Sequence, residues 1–194
     1  MRRLPGMIIA LTLLLGSAGC GSGVRYYRAR DLVAHRPLRV AVLPLTNQSA
    51  TEGAGDALRL AIGQEMLRRG DYRPVPDERV NPLLAEMRIR YADRMSAEQA
   101  QELARRLGAD ALLVGVLETY EYREMDGEKV PLVSLHLRMI EPESGRVLWA
   151  ADHHRAGNDH EFLLGLGLER SLARLGQKVV HEMVATLPQP GGGS

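Results

Sequence analysis

Residues 38–45 (LRVAVLPL) carry apolar side chains on both faces, Val40 and Val42 on one and Ala41, Leu43 and Leu45 on the other. Such a strand belongs inside a sheet. Asn47, Gln48, Ser49 and Gly53 then read as a loop, and Leu58, Ala61, Ile62 and Met66 form a helical stripe that Gly70 ends. Residues 72–75 are a short strand, which Pro74 and Pro76 confine to an edge or an end because proline cannot donate to a ladder. Asn81 and Pro82 have the character of an N-cap and first helical residue, ahead of Leu83, Leu84 and Met87. Ser96 and Gln99 have capping-box spacing, and Ala100, Leu103, Ala104 and Leu107 follow at i, i+3, i+4 and i+7, with Gly108 as the stop.

The second half changes period. Residues 111–117 (ALLVGVL) are a second buried strand, and from Glu118 to Tyr122 the pattern alternates, implying one solvated face. Asp126-Gly127 signals a hairpin. Val133, Leu135, Leu137 and Met139 alternate with Ser134, His136 and Arg138 as a half-buried strand, and residues 147–151 return as another. Asn158 and Glu161 have capping-box spacing before a last helix with the stripe Leu168, Leu172, Leu175, Val179 and Met183, although Gly165 and Gly167 favour a start near Leu168. The expectation is an α/β single domain, a mixed sheet with an antiparallel C-terminal meander and packed helices.

A different pattern precedes the domain. Arg2 and Arg3, an apolar run from Met7 to Leu15 broken by Thr12, and Ser17-Ala18-Gly19 are the parts of a secretory signal, and the run is too short for the ~20 residues a spanning helix needs. Cys20 is the chain's one cysteine, so no internal disulfide can form after export. This segment resembles the lipobox of bacterial lipoproteins, in which small residues precede a cysteine that is acylated and becomes the mature N-terminus. Ser17 stands where leucine is most usual. The resemblance implies a lipid on Cys20 and, through Gly21 where aspartate would retain the protein at the inner membrane, passage to the periplasmic face of the outer membrane. The chain divides into a signal peptide (1–19), a lipidated flexible tether (20–36), the α/β periplasmic domain (37–187) and a disordered tail (188–194). Tyr26 and Tyr27, within the tether, would cover a domain edge, lie at lipid headgroups or dock a partner.

Four further stretches also read as a family pattern: RVAVLPLTNQS, PVPDERVNPLLAEM, LARRLGADALLVGVLETY and LRMIEPESGRVLWAADH. Together they resemble the lipoprotein superfamily of CsgG, which secretes curli, and LpoB, which activates a penicillin-binding protein, with a core also found at the start of TolB. The likeness spans residues 38–187. It implies a non-catalytic binding, secretion or assembly role and no catalytic residues. A membrane pore is not expected, because the one strand approaching the needed ~9 to 11 alternating residues, 130–140, is required by the core.

Removing the leader leaves 175 residues and takes the formal charge from +1 to −1, without the broad basic field of a nucleic-acid binder. Gly53-Ala54-Gly55-Asp56-Ala57-Leu58 has the look of a dinucleotide loop, but Leu58 replaces the third glycine and the connection is too long for a tight phosphate turn; no cofactor is expected. Asp152, His153, His154, Asp159 and His160 are the densest set of possible metal ligands. On a strand His153 and His154 point to opposite faces, which favours a solvated strand end and loop over a Zn2+ or Cu2+ site. No G-x-S-x-G elbow or H-E-x-x-H helix occurs. His136 lies on the polar phase of its strand. Tyr120, Tyr122 and Trp149 are the candidates for a partner-docking surface, since exposed aromatics on a sheet can anchor a partner. The reading is a lipid-anchored envelope assembly factor that binds an envelope protein or a second copy of itself; the alternative is a lipid-anchored periplasmic hydrolase or metal-binding enzyme.

Overall fold

The computed structural model describes residues 23–29, 37–125, 127–159 and 167–189. The leader, Cys20, Asp126, His160, Glu161 and Gly165 lie outside the described residues. In chain order the elements are β1 (Arg25–Arg28), β2 (Leu38–Val42), β3 (Thr46–Asn47), α1 (Ala54–Arg69), β4 (Tyr72–Pro74), α2 (Asp77–Glu86), a 3-10 turn (Ala92–Arg94), α3 (Ala97–Leu107), β5 (Ala111–Met125), β6 (Glu128–Ile140), β7 (Val147–Ala156) and α4 (Leu172–Ala185). They build one α/β domain around a mixed seven-stranded sheet of order β1-β7-β6-β5-β2-β4, with β3 pairing β5 off that path. The β2, β3 and β4 pairings are parallel, while β5, β6, β7 and β1 form the antiparallel half. Proline-bearing β4 sits at one edge, where a missing donor costs least.

Two apolar layers sandwich the sheet. On one face Val40, Val42, Leu113, Leu135, Leu137 and Trp149 pack against Leu58, Ile62 and Met66 of α1 and Leu175, Val179 and Met183 of α4. On the other, Ala41, Leu43, Leu112 and Val114 meet α2 and the Leu103–Leu107 stripe of α3. Each large aliphatic side chain so buried contributes about 1.5–3 kcal/mol. The capping box at Ser96 forms as the spacing predicts, with Gln99 N–H donating to Ser96 Oγ and Ser96 N–H to Gln99 Oε1. The second layer ends at β5, so the outer face of β6, β7 and β1 carries exposed polar residues, among them Arg138, Asp152 and His154.

Several expectations need correction. The tether expected over 20–36 is interrupted, because Arg25–Arg28 forms β1 and pairs antiparallel with β7, Arg25 opposite Asp152 and Arg28 opposite Trp149. Asn81 and Pro82 do not start a helix; α2 begins at Asp77 and carries Pro82 inside it. The last helix starts at Leu172, where Ser171 Oγ accepts from the Arg174 N–H, leaving half-buried Leu168 outside the helical stripe. Strand β6 is half-buried from His136 onward as read, but Ser134 is buried.

Candidate functional site

The alternation of β7 separates two polar clusters. Trp149, Ala151, His153 and Arg155 point to the helix-covered face, whereas Asp152 and His154 point to the open one. On the covered face His153 and Arg155 are buried, and both reach Glu182 of α4: His153 Nε2 lies 2.6 Å from Glu182 Oε2, and Arg155 Nη1 lies 2.7 Å from both carboxylate oxygens. This clasp ties the last helix to the meander. His153 is therefore not part of a solvated strand end.

On the open face His136 sits between two carboxylates, with Nδ1 2.6 Å from Asp152 Oδ1 and Nε2 3.1 Å from Glu118 Oε2. Ser134 Oγ donates to the same Glu118 oxygen. A β-bulge at Leu117/Thr119 places Glu118 there, since the extra residue lets Leu117 and Tyr120 both face the core while Glu118 turns outward. Burial depresses the His136 pKa, but the hydrogen bonds to Asp152 and then Glu118 outweigh it and the net shift is upward. The Glu118 carboxyl is pulled down, chiefly by the hydrogen bond from His136 and then by that from Ser134. Because the two carboxylates hold opposite nitrogens of one ring, the trio is a hydrogen-bonded chain rather than a convergent ligand set. Among the described residues no group of three or more His, Cys, Asp or Glu could hold a metal ion.

The three aromatic candidates do not form one surface. Trp149 is fully buried under α4 and its Nε1–H donates to Thr186 Oγ1 at 3.0 Å. Tyr120 is buried in the same layer. Tyr122 is half exposed, its hydroxyl donating to the Arg170 carbonyl and accepting from the N–H of Leu172, the first residue of α4. The exposed aromatics nearest the chain's N-terminus are Tyr26 and Tyr27 on β1.

The chain shares its fold with PelC. A PelC dodecamer from Paraburkholderia phytofirmans superposes with a TM-score of 0.58 at 21% identity, covering 86% of this chain and 96% of that one. Lipoprotein GNA1162 from Neisseria meningitidis gives 0.54 at 22%, covering 77% and 100%. The LpoB C-terminal domain from Salmonella enterica is more distant, at 0.43 and 15%, covering 64% and 86%. No family model and no curated protein matches the chain.

Sequence reasoning missed the His153–Arg155–Glu182 clasp, although a signal was present. Extending the phase set by Trp149 and Ala151 puts residues 153 and 155 on the core face. It also missed buried Arg59 of α1, whose Nε donates to the Val42 carbonyl, whose Nη1 donates to Asn81 Oδ1, and whose Nη2 lies 2.8 Å from Asp77 Oδ1. Three polar partners on two other segments gave no local pattern to detect. A groove of about 590 Å³ lies between α1 and α4, lined by Ala61, Glu65, Arg68, Lys178, Val180 and His181.

Proposed function

We propose that the protein is a lipid-anchored, non-catalytic assembly factor at the periplasmic face of the bacterial outer membrane, working as an oligomer alongside an envelope protein. The observation that carries the reading is the position of the lone cysteine: Cys20 follows a signal-like leader and stands five residues before Arg25, the start of an edge strand. An acylated Cys20 would hold the folded domain directly beside the bilayer. The fold likeness supports an oligomeric, envelope-bound role by analogy, since one neighbour is described as a dodecamer and another as a lipoprotein. The polar clusters fit this reading, because the His153–Arg155–Glu182 set joins structural elements and the His136 set is a linear chain of hydrogen bonds across neighbouring strands.

Expression of Cys20→Ser beside the wild type tests the anchor. The wild type should float with membranes and carry the mass of acyl chains, and the variant should be soluble or keep its leader. Equal flotation of the two would defeat the reading. Crosslinking of wild-type envelopes should yield oligomers or one defined partner protein; a strictly monomeric, uncrosslinked species would defeat the assembly role.

A further inference from the structure

We propose that the end of the β5–β6 hairpin, with Arg123, Glu124, Met125, Glu128 and Lys129, rests on the lipid headgroups of the leaflet that holds the acyl chains of Cys20; the proposal depends on the lipid-anchor reading. Strand directions set the geometry. Because β1 is antiparallel to β7 and β7 to β6, the start of β1, the end of β7 and the turn between β5 and β6 all point the same way.

Arg25 is level with Asp152, and Asp152 with His136. Strand β7 ends at Ala156 opposite Leu132, so beyond that level the hairpin runs on as two strands, from the Tyr122↔Pro131 pair to Met125↔Glu128. From His136 to Glu128 is eight residues, about 27 Å at ~3.4 Å per residue. From Arg25 back to Cys20 is five residues, at most ~18 Å when fully extended. The hairpin end therefore outreaches the anchor point by roughly 9 Å.

A domain standing upright on its anchor would push exposed Glu124, Glu128 and Lys129 past the headgroups into hydrocarbon, where ionised side chains are strongly disfavoured. The domain must lean instead, laying the hairpin along the headgroup layer. The mixed charges of the hairpin suit that layer, in which phosphates and amines alternate. On the face that carries Met125, Arg123 beside Glu121 can meet phosphate, Glu128 beside Arg170 can meet ammonium, and Met125, 40% exposed at the hairpin end, can reach the acyl boundary, while the Glu124 and Lys129 pair projects from the opposite face.

The test uses the full-length, processed lipoprotein in vesicles of phosphatidylethanolamine and phosphatidylglycerol whose acyl chains are brominated near the headgroup. Met125→Trp reports the hairpin end. Leu67→Trp reports an exposed site on the last turn of α1, at the opposite end of the sheet, and buried Trp149 is a background common to both. Quenching in Met125→Trp should exceed that in Leu67→Trp at least twofold, and equal quenching in floated protein overturns the hairpin contact while leaving the anchor standing. Failure of the wild-type protein to float removes the anchor and this proposal with it. Inserting ten Gly/Ser residues after Gly21 should halve the Met125→Trp quenching; undiminished quenching overturns the claim that the short tether imposes the contact.

Discussion

Arg155 Nη1 lies 2.7 Å from both carboxylate oxygens of Glu182, joining the last strand to the last helix beside buried His153 on the helix-covered face. The Arg155 side chain is 4% exposed and that of Glu182 is 26% exposed, so the cation has little access to water if its partner is lost. Breaking such a pair from one side leaves a buried charge uncompensated. Glu182→Ala should destabilise the fold by about 3 kcal/mol, near the lower end of the range for buried pairs because Glu182 is partly solvated. Urea unfolding should show this as a lower midpoint at unchanged slope. Glu182→Gln, which keeps one acceptor oxygen for Arg155, should lose less.

The His136 chain predicts a pH dependence of definite sign. Its folded pKa lies above the unfolded value, so the stabilisation is fully present below about pH 6.5 and is lost as pH rises through the raised folded pKa. The side chain is 41% exposed, which limits the effect to the ~0.2–1 kcal/mol of a solvent-screened pair. The difference in unfolding free energy between wild type and His136→Gln should therefore shrink between pH 6 and pH 8.5. The His136 ring proton should titrate above 6.5 by NMR; a midpoint below 6.5 would contradict the assignment.

Residues with local consequences were the legible ones. The two-faced apolar run at Leu38–Val42, the Ser96 capping box and the alternation in β6 and β7 each declare themselves within a few positions, and together they place β2, α3, β6 and β7. The change of character at Glu118 is where the bulge shifts the inward phase from Leu117 to Tyr120. The Asn81-Pro82 misreading has a physical cause. The pair looks like a helix start, but in the folded chain the Asn81 side chain accepts from Arg59, and α2 tolerates Pro82 one turn in. Trp149 was a docking candidate because an aromatic on a sheet reads alike for either face until the position of α4 is known. The tether was misjudged at β1 because four mixed polar residues pair with β7 through backbone groups, which leave no side-chain pattern.

Gly115 and Gly176 should respond to alanine by different amounts. A Cβ at Gly115 would lie 2.7 Å from the backbone oxygen of His136 and 2.6 Å from Leu137 Cδ2, and the sheet cannot move that oxygen cheaply. Gly115→Ala should cost about 2–3 kcal/mol through overpacking. At Gly176, within α4, the nearest atoms are Leu58 Cδ2 at 2.9 Å and Tyr120 Cε2 at 3.1 Å, both on side chains. Relief by rotamer adjustment and the ~1 kcal/mol gain in helix propensity should bring Gly176→Ala within about 1 kcal/mol of wild type. Paired thermal melts would separate the two sites.

Arg59 offers the sharpest test of how α1, β2 and α2 are joined. Burial drives its guanidinium pKa down, and the Asp77 carboxylate opposes that shift. Arg59→Met keeps much of the aliphatic stem but abandons the Val42 carbonyl and Asn81 Oδ1 together, so it should cost about 3 kcal/mol through unpaired polar groups. Asn81→Ala removes one of the three partners and leaves Val42 and Asp77 in place, so its cost should be near 1 kcal/mol. If the Arg59–Asn81 hydrogen bond is the link, the double mutant should be less damaged than the sum of the two by at least ~0.5 kcal/mol. Strict additivity in that cycle would mean that Asn81 acts on α2 without passing through Arg59.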